Sequence, residues 1–460
     1  MNQMKRYVSG IGLFIFLVLN TTKAAQTPYE SRPLWKAGTA KCVITPKNDM
    51  WMAGYATRNK PSSGKIHDLW AKALVLEDQQ ANQLVFVTTD LLGIPKNIAQ
   101  AITTKLEEAC GLPRANIVLN SSHTHSGPVL DGALTDIYAI DRNEKKKIEA
   151  YSSWLTNQIV GIVKQALEHR EEAFVYAGSG FSTFQVNRRN NREKELRQLT
   201  ELKGPNDYSV PVIKVTSAKG QVRALMFSYA CHATVLDGYE WSGDYVGFAQ
   251  LELESLYEGC QAMFVQGAGA DQNPLPRKSV ALARQYGKVL SAAVEQVIAD
   301  DKFQLLAPNL KTAYVEVQLP LERSNDKTYF KSVLEDKNTP NYFLKWAKRM
   351  LEKIDAGEKL NASYPYPVQS ILIGDQAIFA LGGELVVQYA LDLKKEFGNN
   401  VMVFGYCNDV MAYIPSERIL AEGGYEGDDS QKVYGLPAKW QKGIEQKIID
   451  ACKQLYVNKQ

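Results

Sequence analysis

The chain has 460 residues, 45% hydrophobic and 22% charged, with 32 Gly and 18 Pro; this ordinary globular composition excludes disordered, collagen-like and coiled-coil chains. The formal charge of +3 comes from 53 basic and 50 acidic residues. Three of the basic ones, Lys5, Arg6 and Lys23, lie in residues 1–24, which hold no acid, and the balanced remainder favours neither nucleic acid nor an anionic membrane as partner.

Residues 1–24 read as an export signal. Lys5 and Arg6 form a basic start, Ile11 to Leu19 supply a mostly apolar run too short to span a bilayer comfortably, and Thr22-Lys23-Ala24 ends on small residues, predicting cleavage between Ala24 and Ala25. A secreted or periplasmic protein without a transmembrane segment is expected, with one domain over 25–460. Six cysteines allow up to three disulfides or none. They form no C-x-x-C pair, so a thioredoxin motif and a zinc ribbon are absent.

Beyond the signal, short β-rich runs alternate with amphipathic helices, which predicts an α/β fold of mixed-sheet layers with helices packed on the sheets. The strands expected are 84–89, 116–119, 210–215, 224–229, 262–266, 377–381 and 401–406. Leu155, Ile159, Ile162, Val163, Ala166 and Leu167 mark one helical stripe, and Leu282, Tyr286, Val289, Leu290, Ala293 and Val297 another. Polar stretches at 190–208 and 322–340 read as excursions.

Chemistry-bearing residues stand just past the strand ends. NSSHTHSGP brings His123 and His125, Cys231-His232 follows 224–229, GAGADQNP carries Asp271 and Asn273, Gly-Gly-Glu384 follows 377–381, and Asn408, Asp409 and Tyr413 follow 401–406. Such groups converge on one rim of a sheet, where open α/β folds bind ligands. In an extended segment, His123 and His125 would point to one side. Two His and a Glu make the N/O donor set of catalytic zinc, with a position left for water. No H-E-x-x-H, G-x-S-x-G, P-loop or complete dinucleotide fingerprint competes.

The segments AGYATRNKPSSGKIHDLWAKALVLED, FVTTD, NSSHTHSGP, CHATVLDGYEWSGDYVG, FVQGAGADQNP, LGGELVV, GYCNDVMAYIPSER and GGYEG resemble, in order, those of the neutral non-lysosomal ceramidases, zinc amidohydrolases that cleave the N-acyl bond of ceramide. The resemblance implies Zn2+ held by His123, His232, Glu384 and Tyr413. It implies His125 as the acid/base that serves the leaving nitrogen, Arg188 of VNRR in the substrate pocket, and Tyr425 as donor to the oxyanion. Two departures stand out: Asn273 occupies the place of the family's loop serine and can be neither nucleophile nor base, and no C-terminal immunoglobulin-like domain is expected. The function expected is exported zinc-dependent hydrolysis of an amide (N-acyl) bond by attack of zinc-bound hydroxide, with Asn273 as a positioning donor. The alternatives are a periplasmic metallohydrolase acting on a water-soluble ester, amide or glycan fragment, and a non-catalytic zinc-containing binding protein.

Overall fold

The computed structural model describes residues 34–134, 136–322 and 326–457; the expected signal peptide lies outside them. No described helix is long and apolar enough to cross a membrane.

Among the described residues, the larger sheet has nine strands. Eight run in the order Ile117–Ser121, Gln83–Thr89, Trp70–Glu77, Trp35–Val43, Glu171–Phe181, Ser209–Ser217, Val222–Tyr229 and Gln261–Gln266, and Gln304–Leu305 pairs with Glu171–Phe181 off that path. The interior pairs are antiparallel. The outermost pair at each end, 83–89 with 117–121 and 222–229 with 261–266, is parallel. A second sheet holds Leu310–Pro320, Ser363–Ile373, Gln376–Leu381 and Met402–Phe404, the last two parallel.

Side chains alternate across these strands with period two. Leu74, Leu76, Phe86, Val118, Met226 and Met263 share one core with Ile371, Ile378 and Phe404 of the second sheet. Their neighbours Ala73, Val75, Val87 and Leu119 pack outward beside residues of helices Lys96–Cys110 and Arg142–Glu168. Leu225, Phe227 and Phe264 do the same against helices Asp244–Leu256 and Val280–Ala299. Strands buried on both faces read as continuous apolar runs, and each run expected from sequence falls on a strand. Among the longer strands missed, EEAFVYAGSGF at 171–181 and SYPYPVQSILI at 363–373 carry Gly, Pro or charge. Val289, placed on a buried helical stripe, is 43% exposed. The excursion at 322–340 contains helix Lys327–Glu335, which packs with Asn341–Asp355 around Phe330, Trp346 and Met350. All six cysteines are free thiols, so tertiary packing holds the fold without a disulfide.

The larger sheet curls until its two edges meet, and Asn120 joins them. Its Oδ1 accepts from the Gln266 backbone N–H at 2.9 Å, and its Nδ2 donates to the carbonyl of Gly405 at 2.8 Å, just past the end of strand 402–404 in the second sheet. Gln261 Nε2 donates to the Ala73 carbonyl, and the buried Lys72 ammonium reaches both Glu254 and the Ala262 carbonyl. The bonds to Gln266, Gly405 and Ala262 satisfy backbone groups at strand edges and ends, at a depth where an unpaired group costs about 1–3 kcal/mol. Asn120→Ala strands two of them, so we expect denaturant unfolding to show a loss of about 3 kcal/mol; an unchanged midpoint would show that the edges close without this side chain.

Candidate metal centre

His123, His232 and Glu384 each stand just past the end of a longer strand. His123 follows 117–121 in a left-handed turn, φ +58°, a conformation few non-glycine residues adopt. That turn, rather than the extended segment expected from sequence, brings His123 and His125 together, with 3.1 Å between their Nε2 atoms. His232 follows 222–229, and its backbone N–H bonds the Gln272 carbonyl. Glu384 stands opposite Tyr413 in a short parallel pair, 384–385 with 413–414. Gly383 makes that approach possible, because at φ +68° a Cβ there would lie 2.5 Å from Ile414 Cγ1.

The ring orientations follow from backbone hydrogen bonds. His123 Nδ1 lies 2.6 Å from the Leu92 carbonyl and His232 Nδ1 lies 2.8 Å from the Gly269 carbonyl. A carbonyl only accepts, so both Nδ1 atoms carry the proton and both neutral rings present a bare Nε2 lone pair. Those lone pairs converge on one carboxylate oxygen: Glu384 Oε2 is 3.1 Å from His123 Nε2 and 3.3 Å from His232 Nε2. The Tyr413 hydroxyl lies 3.3 Å from the same His232 nitrogen. Burial favours the neutral form of His232, whose pKa is lowered to about 4. For His125, burial followed by the neighbouring His123 and His232 drives the pKa well below the usual imidazole range. Burial alone would raise the Glu384 carboxyl; positive charge on its His123 and His232 side outweighs burial and holds the pKa well below the ordinary value. Electron-rich atoms facing one another without protons in a buried site repel unless a cation lies among them, and the N/O set fits a metal ion. The ligating atoms of His123, His125 and His232 lie within 4.8 Å of one another, so these three can hold an ion as well.

The eight residues given roles from sequence belong to this constellation, whereas Asp271, Asn408 and Asp409 bond Val387, Gln369 and Tyr364 outside it. Arg188 donates through Nε to Glu426 at 2.8 Å, through Nη2 to the Tyr413 hydroxyl at 3.1 Å and through Nη1 to Asn273 Oδ1 at 3.4 Å. Asn273 is thereby an acceptor from Arg188. The Tyr425 ring packs edge-on against Tyr413, with 5.3 Å between centroids, and is 46% exposed. Three residues escaped the sequence reading. Tyr434 donates to Glu384 Oε1 at 2.6 Å, Tyr406 reaches Oε2 at 3.5 Å from a left-handed φ of +56°, and Glu426 neutralises Arg188 and Arg189. Tyr406 lies within the GYCNDVMAYIPSER segment; nothing around Tyr434 marked it.

The family model "Neutral/alkaline non-lysosomal ceramidase, N-terminal" matches residues 35–290. The neutral ceramidase of Pseudomonas aeruginosa is 22% identical over an alignment covering 92% of this chain and 72% of that protein. Neutral ceramidase A of Dictyostelium discoideum is 26% identical over 49% of this chain and 32% of its own length. The crystal structure of the Pseudomonas aeruginosa enzyme covers 92% of this chain and 73% of that one, with a TM-score of 0.69 at 19% identity, so the two share a fold.

The loop before strand 70–77 walls in His125. Gly54 has φ +107°, and a Cβ on it would lie 2.5 Å from the His125 ring, while the Tyr55 ring packs 4.8 Å from it. Gly111 also has a positive φ but nothing within 4 Å of its missing Cβ. Both Ala substitutions therefore meet the backbone cost of about 1 kcal/mol, and only Gly54→Ala adds a clash. We expect denaturant unfolding to show Gly54→Ala to be more destabilising than Gly111→Ala by about 1–3 kcal/mol; equal losses would mean that His125 is not held by this contact.

Proposed function

Because the chain belongs to the neutral/alkaline non-lysosomal ceramidase family, we propose that it is an exported zinc-dependent hydrolase that cleaves an amide (N-acyl) bond. The observation that carries the reading is the convergence of the bare Nε2 atoms of His123 and His232 on Glu384 Oε2, with the Tyr413 hydroxyl beside them. These four residues would hold the ion. Zinc, when bound, supplies Lewis acidity that lowers the pKa of water and polarises a carbonyl.

The remaining residues supply positioning and proton transfer. His125 is half-buried against His123 and stays neutral, so it can take a proton from the attacking water and pass it to the leaving nitrogen. Its Nδ1 is buried beside Gly54 and has no partner among the described residues. The Tyr425 hydroxyl is a neutral donor for the charge that develops on the carbonyl oxygen. Arg188 orients the Tyr413 hydroxyl and the Asn273 amide, and Asn273 retains its Nδ2 donor for the scissile group. A loop asparagine in this role needs no nucleophilic hydroxyl.

The ligand and acid/base assignments separate by measurement. His232→Ala and Glu384→Ala should each empty the site of zinc by elemental analysis, because losing one donor of a catalytic set leaves too few to hold the ion. His125→Ala should keep the zinc and lose turnover by about 10²–10⁴-fold, the usual share of a general acid/base. Zinc lost from His125→Ala would make that residue a ligand in a three-histidine site. Export rests on residues 1–24 alone: N-terminal sequencing of the exported protein should begin near Ala25, and a start at Met1 would refute it.

A further inference from the structure

The mouth of the site is built for charge. A depression of about 690 Å³ opens beside Arg188, Asn273 and Tyr425. Five cations line it, Arg188, Arg189, Arg192, Lys194 and Arg277, against two carboxylates, Glu193 and Glu426. Leu275 and Tyr425 are the apolar or aromatic side chains among the lining residues, so an aliphatic chain finds little to pack on here.

The cations differ in how far they are committed. Arg188 and Arg189 share Glu426, and Arg189 also holds Glu422. Arg277 spends Nε and one terminal nitrogen on Glu193 Oε2. Arg192 is 74% exposed and meets Glu195 at 3.4 Å, and Lys194 is exposed and has no ion pair among the described residues. A sixth cation lies behind the ring that packs on His125. The Arg58 guanidinium is 5% exposed, bonds only the carbonyls of Ala53 and Gly238, and lies over the Tyr55 ring that packs on His125. No carboxylate pairs with it among the described residues, and its Nε has no partner. Positive charge lining a cleft focuses an attractive field for anions on the space within it.

We propose that the substrate carries an oxyanion, a carboxylate, sulfonate or phosphate, a few bonds from the scissile amide, and that Arg192, Lys194 and Arg277 receive it at the rim. The inference rests on the amide-hydrolase reading for its chemistry and names the substrate class within it: an anionic N-acyl compound rather than an uncharged two-chain lipid. Guanidinium and ammonium groups bind such oxyanions through charge-assisted hydrogen bonds.

The test pairs anionic with neutral compounds on the zinc-loaded full chain. N-lauroylglycine, N-lauroyltaurine and ceramide 1-phosphate distinguish carboxylate, sulfonate and phosphate, with N-lauroylethanolamine and ceramide as neutral counterparts. Wild-type protein should prefer at least one anionic amide in kcat/KM by about tenfold or more. The exposed-site double variant Arg192→Gln/Lys194→Gln should lower that preference ratio by about tenfold, and about 0.5 M salt should erode it. Titration calorimetry with octanesulfonate against octanol reads the anion site without turnover. Tighter binding of the sulfonate, lost in the double variant, supports the proposal even if no amide is cleaved, an outcome that would overturn the hydrolase reading alone. Cleavage of neutral amides at least as efficient as that of anionic ones, with a ratio unchanged in the double variant, overturns the proposal and leaves the hydrolase reading standing. Equal binding of octanesulfonate and octanol also overturns it.

Discussion

The closure of the larger sheet on itself through the Asn120 side chain is the constraint on which the site depends. A curled sheet brings its two edges together, and at each edge the backbone needs partners that no further strand supplies. One amide side chain, with a donor and an acceptor on a short stem, bonds strand 261–266 and the end of the second sheet at once. The three segments it joins are the ones that carry function. His123 is three residues beyond Asn120, the 266–271 loop supplies the carbonyl that orients His232, and Tyr406 follows Gly405 directly. Position along one seam therefore becomes position in the site.

Within the seam, backbone carbonyls set the chemistry. Leu92 and Gly269 each take an Nδ1 proton, which fixes the tautomer of a histidine and turns its lone pair inward. Aiming two bare nitrogens at a carboxylate in a buried site opposes folding unless the charges are compensated. Left-handed backbone at His123 and Tyr406 adds to that cost, and the surrounding core holds it. The polar layer around the centre spreads the load: Tyr434 and Tyr406 bond Glu384, and Arg188 bonds Tyr413.

The rim follows different rules from the centre. Residues 192–194 lie on the surface and keep most of their charge in water, where interactions are weak and sensitive to salt. The centre is buried and closely paired. Selection among substrates can change along such a rim without disturbing the residues that would hold an ion, because the rim's links to the centre pass through Arg188 and Glu426.

The sequence by itself determined the layered α/β class and the strands buried on both faces, because a run that packs apolar neighbours on two sides leaves a continuous local signal. Position past strand ends marked His123, His125, His232, Asn273, Glu384 and Tyr413, because such side chains share one rim whatever the loops between them do, and the family resemblance added Arg188 and Tyr425. What only the tertiary structure decided depends on groups far apart in the chain. Tyr434 reaches Glu384 across 50 residues, Arg188 reaches Glu426 across 238, and the free thiols needed their neighbours in space before bridging could be judged. The tautomers were beyond reach for the same reason, since each is set by a carbonyl that every residue possesses and only the fold places. Strands such as 171–181 and 363–373, rich in Gly, Pro and polar residues, form because neighbouring strands pair with them, an interaction that no local pattern records.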